Sequence, residues 1–284
     1  MAEPLLSVND LVVRYGGRRG GKTVIDGVSL DLNAGETVSL VGESGSGKTT
    51  IGRAILGLAP VTGGTIQFRG QKIDNIPRSR RRQIARDLQV IFQDPYSSLN
   101  PSMTVESILA EPLRAAGVTA GRDRVRELLD AVGLPADAGR RYPREFSGGQ
   151  RQRIAIARAL ALEPSVIVCD EPTSALDVTT QARVLALLAD IQKATGVAYL
   201  FISHDLGVVH AISDRIAVLN SGQIVELGDA RQIVSRPQHP YTRRLLMAAP
   251  VADPPRQRAK RAQRLALLQR DAPDEPAAPH DAVA

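Results

Sequence analysis

The chain opens with two stretches in which apolar and polar side chains alternate, residues 5–13 and 28–32, separated by a Gly- and Arg-rich turn at residues 16–21. A repeat of two puts successive side chains on opposite faces of a strand, so both stretches predict half-buried β structure. The next apolar run is different. Thr37, Val38, Ser39, Leu40 and Val41 form a short, β-branched stretch that ends in glycines, and residues 49–58 after it carry apolar positions at helical spacing. The order strand, loop, helix recurs at Val166, Ile167, Val168 and Cys169, which lead through Asp170, Glu171 and Pro172 into a helical pattern containing Val184, Leu185, Leu187, Leu188 and Ile191. A third such strand covers residues 198–202 and ends at Ser203 and His204. Short continuous apolar strands alternating with helices predict a parallel sheet covered on both faces, the α/β class.

Residues 95–162 interrupt this alternation with little strand character and good helical spacing over residues 105–116, 122–132 and 150–162, so they predict a helical insert. Beyond about residue 250 the composition shifts to Pro, Ala, Arg and Gln without periodicity, and residues 251–284 are expected to be a disordered tail. Its basic part, residues 256–270, reads as a solvated charge run in preference to a lipid-binding amphipathic helix. No internal repeat is visible, and no uncharged apolar run approaches the roughly 18 residues of a membrane span. The N-terminus carries neither a basic n-region nor a long apolar h-region, so a cytoplasmic protein is expected.

Composition narrows the chemistry. Over 284 residues, 43% are hydrophobic and 23% charged, which excludes disorder throughout. A single cysteine, Cys169, rules out an intramolecular disulfide and a cysteine-based zinc or iron–sulfur site. His210, His239 and His280 show no metal-ligand spacing and read as structural or solvated. The formal charge of +6 and a pI near 9.8 fit an anionic partner such as a nucleotide, a nucleic acid or a membrane surface. With no Trp and only 3% aromatics there is little material for stacking bases, so nucleic acid is disfavoured.

Gly42, Glu43, Ser44, Gly45, Ser46, Gly47, Lys48 and Thr49 match G-x-x-x-x-G-K-[ST], and they lie where that motif must, after a buried strand and before a helix. Glycines allow the turn that aims successive N–H groups at one phosphate, the helix start adds its positive end, and Lys48 reaches the outer phosphates. Thr49 is the expected magnesium ligand, and Thr50 completes the nucleotide-binding set. At the polar end of the strand of residues 166–169, Asp170 can face that magnesium while Glu171, just past the strand, can polarise an attacking water. A lone Asp-Glu pair would as readily cap a helix. Behind this strand and beside a phosphate loop, it points to chemistry. Ser147, Gly148, Gly149 and Gln150 set a hydroxyl and two glycines ahead of a helical run, a second anion-binding helix start.

These motifs, with Gln93, the run Ser174, Ala175, Leu176, Asp177, and His204, occur in the order found in the ATP-binding-cassette ATPases, and the chain resembles that family over about residues 5–250. The resemblance implies a P-loop NTPase fold: an ATP-binding-cassette nucleotide-binding domain with a mainly parallel core sheet, an antiparallel β subdomain and the helical insert. It implies a core of residues 5–94 and 163–235, a helical subdomain of about 95–162 and an extension of 236–250. It also implies ATP and Mg2+ as cofactors and a head-to-tail dimer in which Ser147, Gly148, Gly149 and Gln150 serve the partner's nucleotide. By the same mapping Gln93 approaches magnesium and water and couples to the membrane partner, His204 contacts the γ-phosphate, Asp177 crosses the dimer seam and Tyr15 stacks on adenine.

Residues 92–101 and 236–250 further resemble the ATPase subunits of oligopeptide and dipeptide importers. With Cys169 alone, the chain is expected to be the cluster-free member of an ATPase pair. The partners then implied are a second, paralogous ATPase subunit, two transmembrane permease subunits and an extracytoplasmic solute-binding protein, with no nucleic acid, at the cytoplasmic face of the membrane. Importers of nickel and other small solutes share the branch, so cargo rests on analogy. A soluble ATPase of nucleic-acid repair or translation is the weaker alternative, because such relatives usually carry two cassettes, a coiled coil or a zinc insert. A nucleotide-binding module without turnover is disfavoured by Glu171, His204 and Gln93.

Overall fold

Two sheets of different character organise the chain. The computed structural model describes residues 3–16, 20–118 and 121–248. In the four-stranded antiparallel sheet, β1 (Leu6–Tyr15) lies between β2 (Lys22–Leu32) and β4 (Gly63–Phe68), with β5 (Gln71–Lys72) outside. The six-stranded sheet has the order β10-β9-β3-β8-β7-β6, formed by β3 (Thr37–Val41), β6 (Leu88–Ile91), β7 (Val166–Asp170), β8 (Ala198–Ile202), β9 (Arg215–Asn220) and β10 (Gln223–Asp229). Its strands are parallel except for β10, which returns antiparallel to β9. The α/β class and the mainly parallel core sheet expected from the sequence are therefore what the structure shows.

Alternation along the central strands divides the interior into two apolar cores. Val166 and Val168 of β7 pack toward the antiparallel sheet and α1 (Lys48–Ile55), while Ile167 and Cys169 face the opposite side. That opposite core holds the helices α4 (Val105–Ala115), α5 (Arg122–Ala131), α6 (Gly148–Leu160) and α7 (Val178–Thr195). Both faces of the sheet are thus covered, which is why its strands read as unbroken apolar runs. In β1 the alternation slips by one residue. Leu6 and Val8 are buried, then Leu11 and Val13, because a bulge with Asp10 at φ 48 lies between them and returns both pairs to the same core.

The sequence pattern left several elements unassigned. β6 is only four residues long, β4 opens on two glycines, and β10 is at best half-buried, so none carries a clear period of two. For β9 the signal was present, since Ile216, Ala217, Val218 and Leu219 are all fully buried. The remaining helices are short: α2 (Arg78–Ile84), α3 (Pro95–Ser98), α8 (Leu206–Ile212), α9 (Ala230–Ser235) and α10 (Pro240–Ala248). The predicted helix of residues 150–162 begins two residues earlier, at Gly148, and ends at Leu160. The tail expected over residues 251–284, with its basic part, lies outside the described residues. No helix among the described residues is long and apolar enough to cross a membrane.

Candidate active site

The loop between β3 and α1 wraps the N-terminus of that helix. Gly47 is its N-cap at φ 108, a left-handed conformation that requires glycine, and a Cβ there would also crowd the Val24 carbonyl at 3.2 Å. Lys48 is 5% exposed, and its Nζ donates to the carbonyls of Gly42 and Glu43, each at 2.9 Å. Burial lowers the pKa of this ammonium, and the nearby carboxylates of Glu171 and Asp170 oppose that shift. Around it opens a cavity of about 550 Å³ lined by Val24, Ser44, Gly45, Gly47, Lys48, Thr49, Thr50, Gln93, Glu171 and His204.

Asp170 ends β7 and accepts a hydrogen bond from Thr49 Oγ1 at 2.8 Å. Burial raises its pKa, the Thr49 hydroxyl pulls the other way, and neighbouring Glu171 adds to the rise. Two hard oxygen donors in contact at the foot of a phosphate loop fit Mg2+, which completes its shell with phosphate oxygens and water. Among the described residues no group of three or more His, Cys, Asp or Glu gathers as a metal cage, so a cation here would depend on the nucleotide for further ligands.

Glu171 occupies the left-handed region at φ 48, fixed by its N–H donating to the carbonyl of Ile202 at 2.9 Å. A glutamate in that conformation costs on the order of 1 kcal/mol, a strain that clusters at functional sites. Its carboxylate is held on both sides. Gln93 Nε2 donates to Oε2 at 3.1 Å, and His204 Nδ1 lies 3.2 Å from Oε1. The structure thus brings the three predicted catalytic residues into one contact set that lines the cavity. Capping of the next helix, the alternative for this acidic pair, falls to Asp177 instead, whose Oδ1 accepts from the Thr180 N–H at 2.9 Å.

Ser147, Gly148, Gly149 and Gln150 stand elsewhere, at the start of α6, and none lines the cavity. Ser147 caps the helix in a reciprocal pair with Gln150: the Ser147 N–H donates to Gln150 Oε1 at 3.0 Å and the Gln150 N–H to Ser147 Oγ at 3.4 Å. At Gly149 a Cβ would lie 2.3 Å from Thr180 Cγ2, so glycine lets the first turns of α6 and α7 touch and joins this segment to Asp177. The Arg151 guanidinium stacks 4.1 Å over the ring of Tyr96, which ties α6 to the stretch after Gln93. Tyr15 is 40% exposed at the end of β1, outside the cavity lining. One contact had no counterpart in the sequence reading: the Glu43 N–H donates to Tyr241 Oη at 3.2 Å, which carries α10 onto the phosphate loop.

Comparison with known proteins identifies the family. The family described as "ABC transporter" matches residues 25–174, and "Oligopeptide/dipeptide transporter, C-terminal region" matches residues 225–273. The glutathione import ATP-binding protein GsiA of Escherichia coli (strain K12) and that of Shigella dysenteriae serotype 1 are each 53% identical over 269 residues, covering 91% of this chain. The chain spans 43% of the length of those relatives. Among solved structures, the dimeric ATP-binding cassette MJ0796 bound to ADP and Pi superposes with TM-score 0.71 at 30% identity, covering 80% of this chain and 99% of its own. The fold is also shared with cbiO1 of Clostridium perfringens, at TM-score 0.73, 23% identity, and coverage of 95% of this chain and 100% of that one. With a match that runs from β2 through the phosphate loop, Gln93, the Ser147 turn and Glu171, the chain belongs to the ABC transporter family.

Proposed function

We propose that the chain is an ATP-hydrolysing subunit that powers a membrane importer of oligopeptides or dipeptides. The observation that carries hydrolysis is the Glu171 carboxylate gripped between Gln93 and His204 at the mouth of the phosphate loop. In this reading the N–H groups at the start of α1 and the Lys48 ammonium bind the phosphates, and Tyr15 stacks on adenine. Thr49, Asp170 and Gln93 hold Mg2+, which when bound neutralises phosphate charge. Glu171 takes the developing proton from a water aimed at the γ-phosphate, Gln93 fixes the direction of that carboxylate, and His204 reads the phosphate.

Ser147, Gly148, Gly149 and Gln150 lie outside the cavity, which supports a site completed by a second subunit across a head-to-tail seam at Asp177. The relative MJ0796 was solved as a dimer. We read residues 5–250 as one ATPase domain with a core of 5–94 and 163–235, a helical subdomain of about 95–162 and an extension of 236–250. Peptide cargo is supported by the C-terminal match and by relatives named for import of glutathione, itself a short peptide. The partners are a second ATPase subunit, two permeases and an extracytoplasmic binding protein, and the chain sits peripherally at the cytoplasmic face of the membrane. Isolation of the tagged full chain from its native membranes, with mass spectrometry of what comes with it, tests this. Two permeases and a second cassette support the importer, while ribosomes or DNA without membrane subunits refute it.

A further inference from the structure

The Gly42–Glu43 peptide is held at both ends. Its carbonyl accepts from Lys48 Nζ at 2.9 Å, and its N–H donates to Tyr241 Oη at 3.2 Å. A peptide unit is planar, so it can turn only as a whole, and fixing the N–H also fixes where the Gly42 carbonyl points. The next residue along is a pivot of the same loop, because the Glu43 carbonyl accepts both Lys48 Nζ and the Ser46 N–H at 3.2 Å. Among these holds, Lys48 is the one shared with the nucleotide: two of its three N–H donors serve these carbonyls, and the third is left for phosphate. The Tyr241 hydroxyl holds the same peptide from the other side, away from Lys48.

Tyr241 is itself well fixed. It is 6% exposed in the first turn of α10, and its N–H donates to His239 Nδ1 at 3.2 Å. The approach to α10 is fastened to β10 through Glu226, whose Oε1 accepts the Gln238 N–H at 2.7 Å and whose Oε2 accepts the His239 N–H at 3.1 Å. Arg243 closes the turn from the other side, with Nε to the Pro237 carbonyl at 3.1 Å and Nη2 to the Gln238 carbonyl at 3.2 Å. A chain of short contacts therefore runs from β10 through the helix start to the phosphate loop.

We propose that Tyr241 is a positioning residue of the nucleotide site: its hydroxyl locks the Gly42–Glu43 peptide so that the phosphate loop keeps its binding shape when Lys48 engages phosphate. The ATP-dependent part of this rests on the function proposed above, and the loop-ordering part does not. The extension that carries Tyr241 thereby supports the loop from a segment some 200 residues away in sequence.

The test uses the purified full chain and Tyr241→Phe, which removes one oxygen and keeps the ring. Amide hydrogen exchange over residues 42–48 is measured without nucleotide, and MgATP affinity by titration calorimetry. Tyr241→Phe is expected to speed exchange in that loop and to weaken MgATP about two- to tenfold, the range of one lost hydrogen bond, with exchange in β7 and β8 unchanged. Leu245→Ala, which loosens the packing of α10 and spares the hydroxyl, should lower the melting temperature with less effect on the loop. Loop exchange equal to that of the unaltered chain, or the same loop and affinity changes in both variants, would overturn the proposal. An unaltered chain that binds no MgATP would instead sink the ATPase reading, and the exchange result would still decide whether Tyr241 orders the loop.

Discussion

Replacing Gly149 by alanine puts a methyl group where the first turn of α6 meets α7. Its Cβ would fall 2.3 Å from Thr180 Cγ2, whereas carbon atoms in contact sit about 3.5–4.0 Å apart, so either the two helices part or the β-branched Thr180 leaves its rotamer to recover more than about 1 Å. Overpacking of this kind costs about 1–3 kcal/mol, while alanine in place of glycine inside a helix gains about 1 kcal/mol at most. The clash wins. A net loss of up to about 2 kcal/mol is expected, or up to about 8 °C in melting temperature for a domain of this size. Thr180→Ser removes the offending methyl, and the next nearest atoms, Thr180 Cβ and Oγ1, lie at ordinary contact distances of 3.7 and 3.9 Å. In the T180S background, Gly149→Ala should therefore become neutral or stabilising. The assay is urea and thermal unfolding of the four proteins as a double-mutant cycle, with an expected coupling above about 1 kcal/mol. An equal loss in both backgrounds, or no loss in the unaltered chain, would refute the claim that close approach is what requires glycine here.

Two further outcomes are expected. Burial works against the Glu226 carboxylate, but the Gln238 N–H, the Thr242 hydroxyl, the His239 N–H and the His239 charge together hold its pKa below the usual value, so it stabilises the fold above the unfolded pKa and loses this effect as pH falls through the lowered folded value. Glu226→Gln should lower the melting temperature at pH 7, and the gap to the unaltered chain should close on acidification below about pH 4; a gap independent of pH would contradict it. Tyr199 Oη donates to the Leu188 carbonyl at 3.0 Å in a fully buried position, so Tyr199→Phe should cost about 1 kcal/mol in urea unfolding with an unchanged m value.

How much of this could be read from the sequence depended on whether the signal was local. The phosphate loop, the strand ending in Asp170 with Glu171 just after it, and the helix start at Ser147 were legible because each is a short segment whose residue types dictate its own geometry. Gln93, Glu171 and His204 come from three different strand ends, and only the family resemblance predicted that they meet. The contact at Tyr241 was not legible. Its residue lay in a stretch used only to choose the branch of the family, and 198 positions separate it from its partner. The half-buried strand β10 and the four-residue β6 were missed for another reason, since pairing within the sheet, and not a pattern of their own, makes them strands. The slip of phase in β1 likewise depends on its neighbours in the sheet, which a period of two along one strand does not report.

The central claim is that this chain hydrolyses ATP at a site where Glu171 acts on water. It is tested most directly by phosphate release and equilibrium MgATP binding for the purified full chain and for Glu171→Gln, which removes the negative charge and keeps the shape. The account predicts binding within about threefold of the unaltered chain and turnover reduced at least about 100-fold, the usual range for a lost general base. Hydrolysis by Glu171→Gln at the unaltered rate would contradict it.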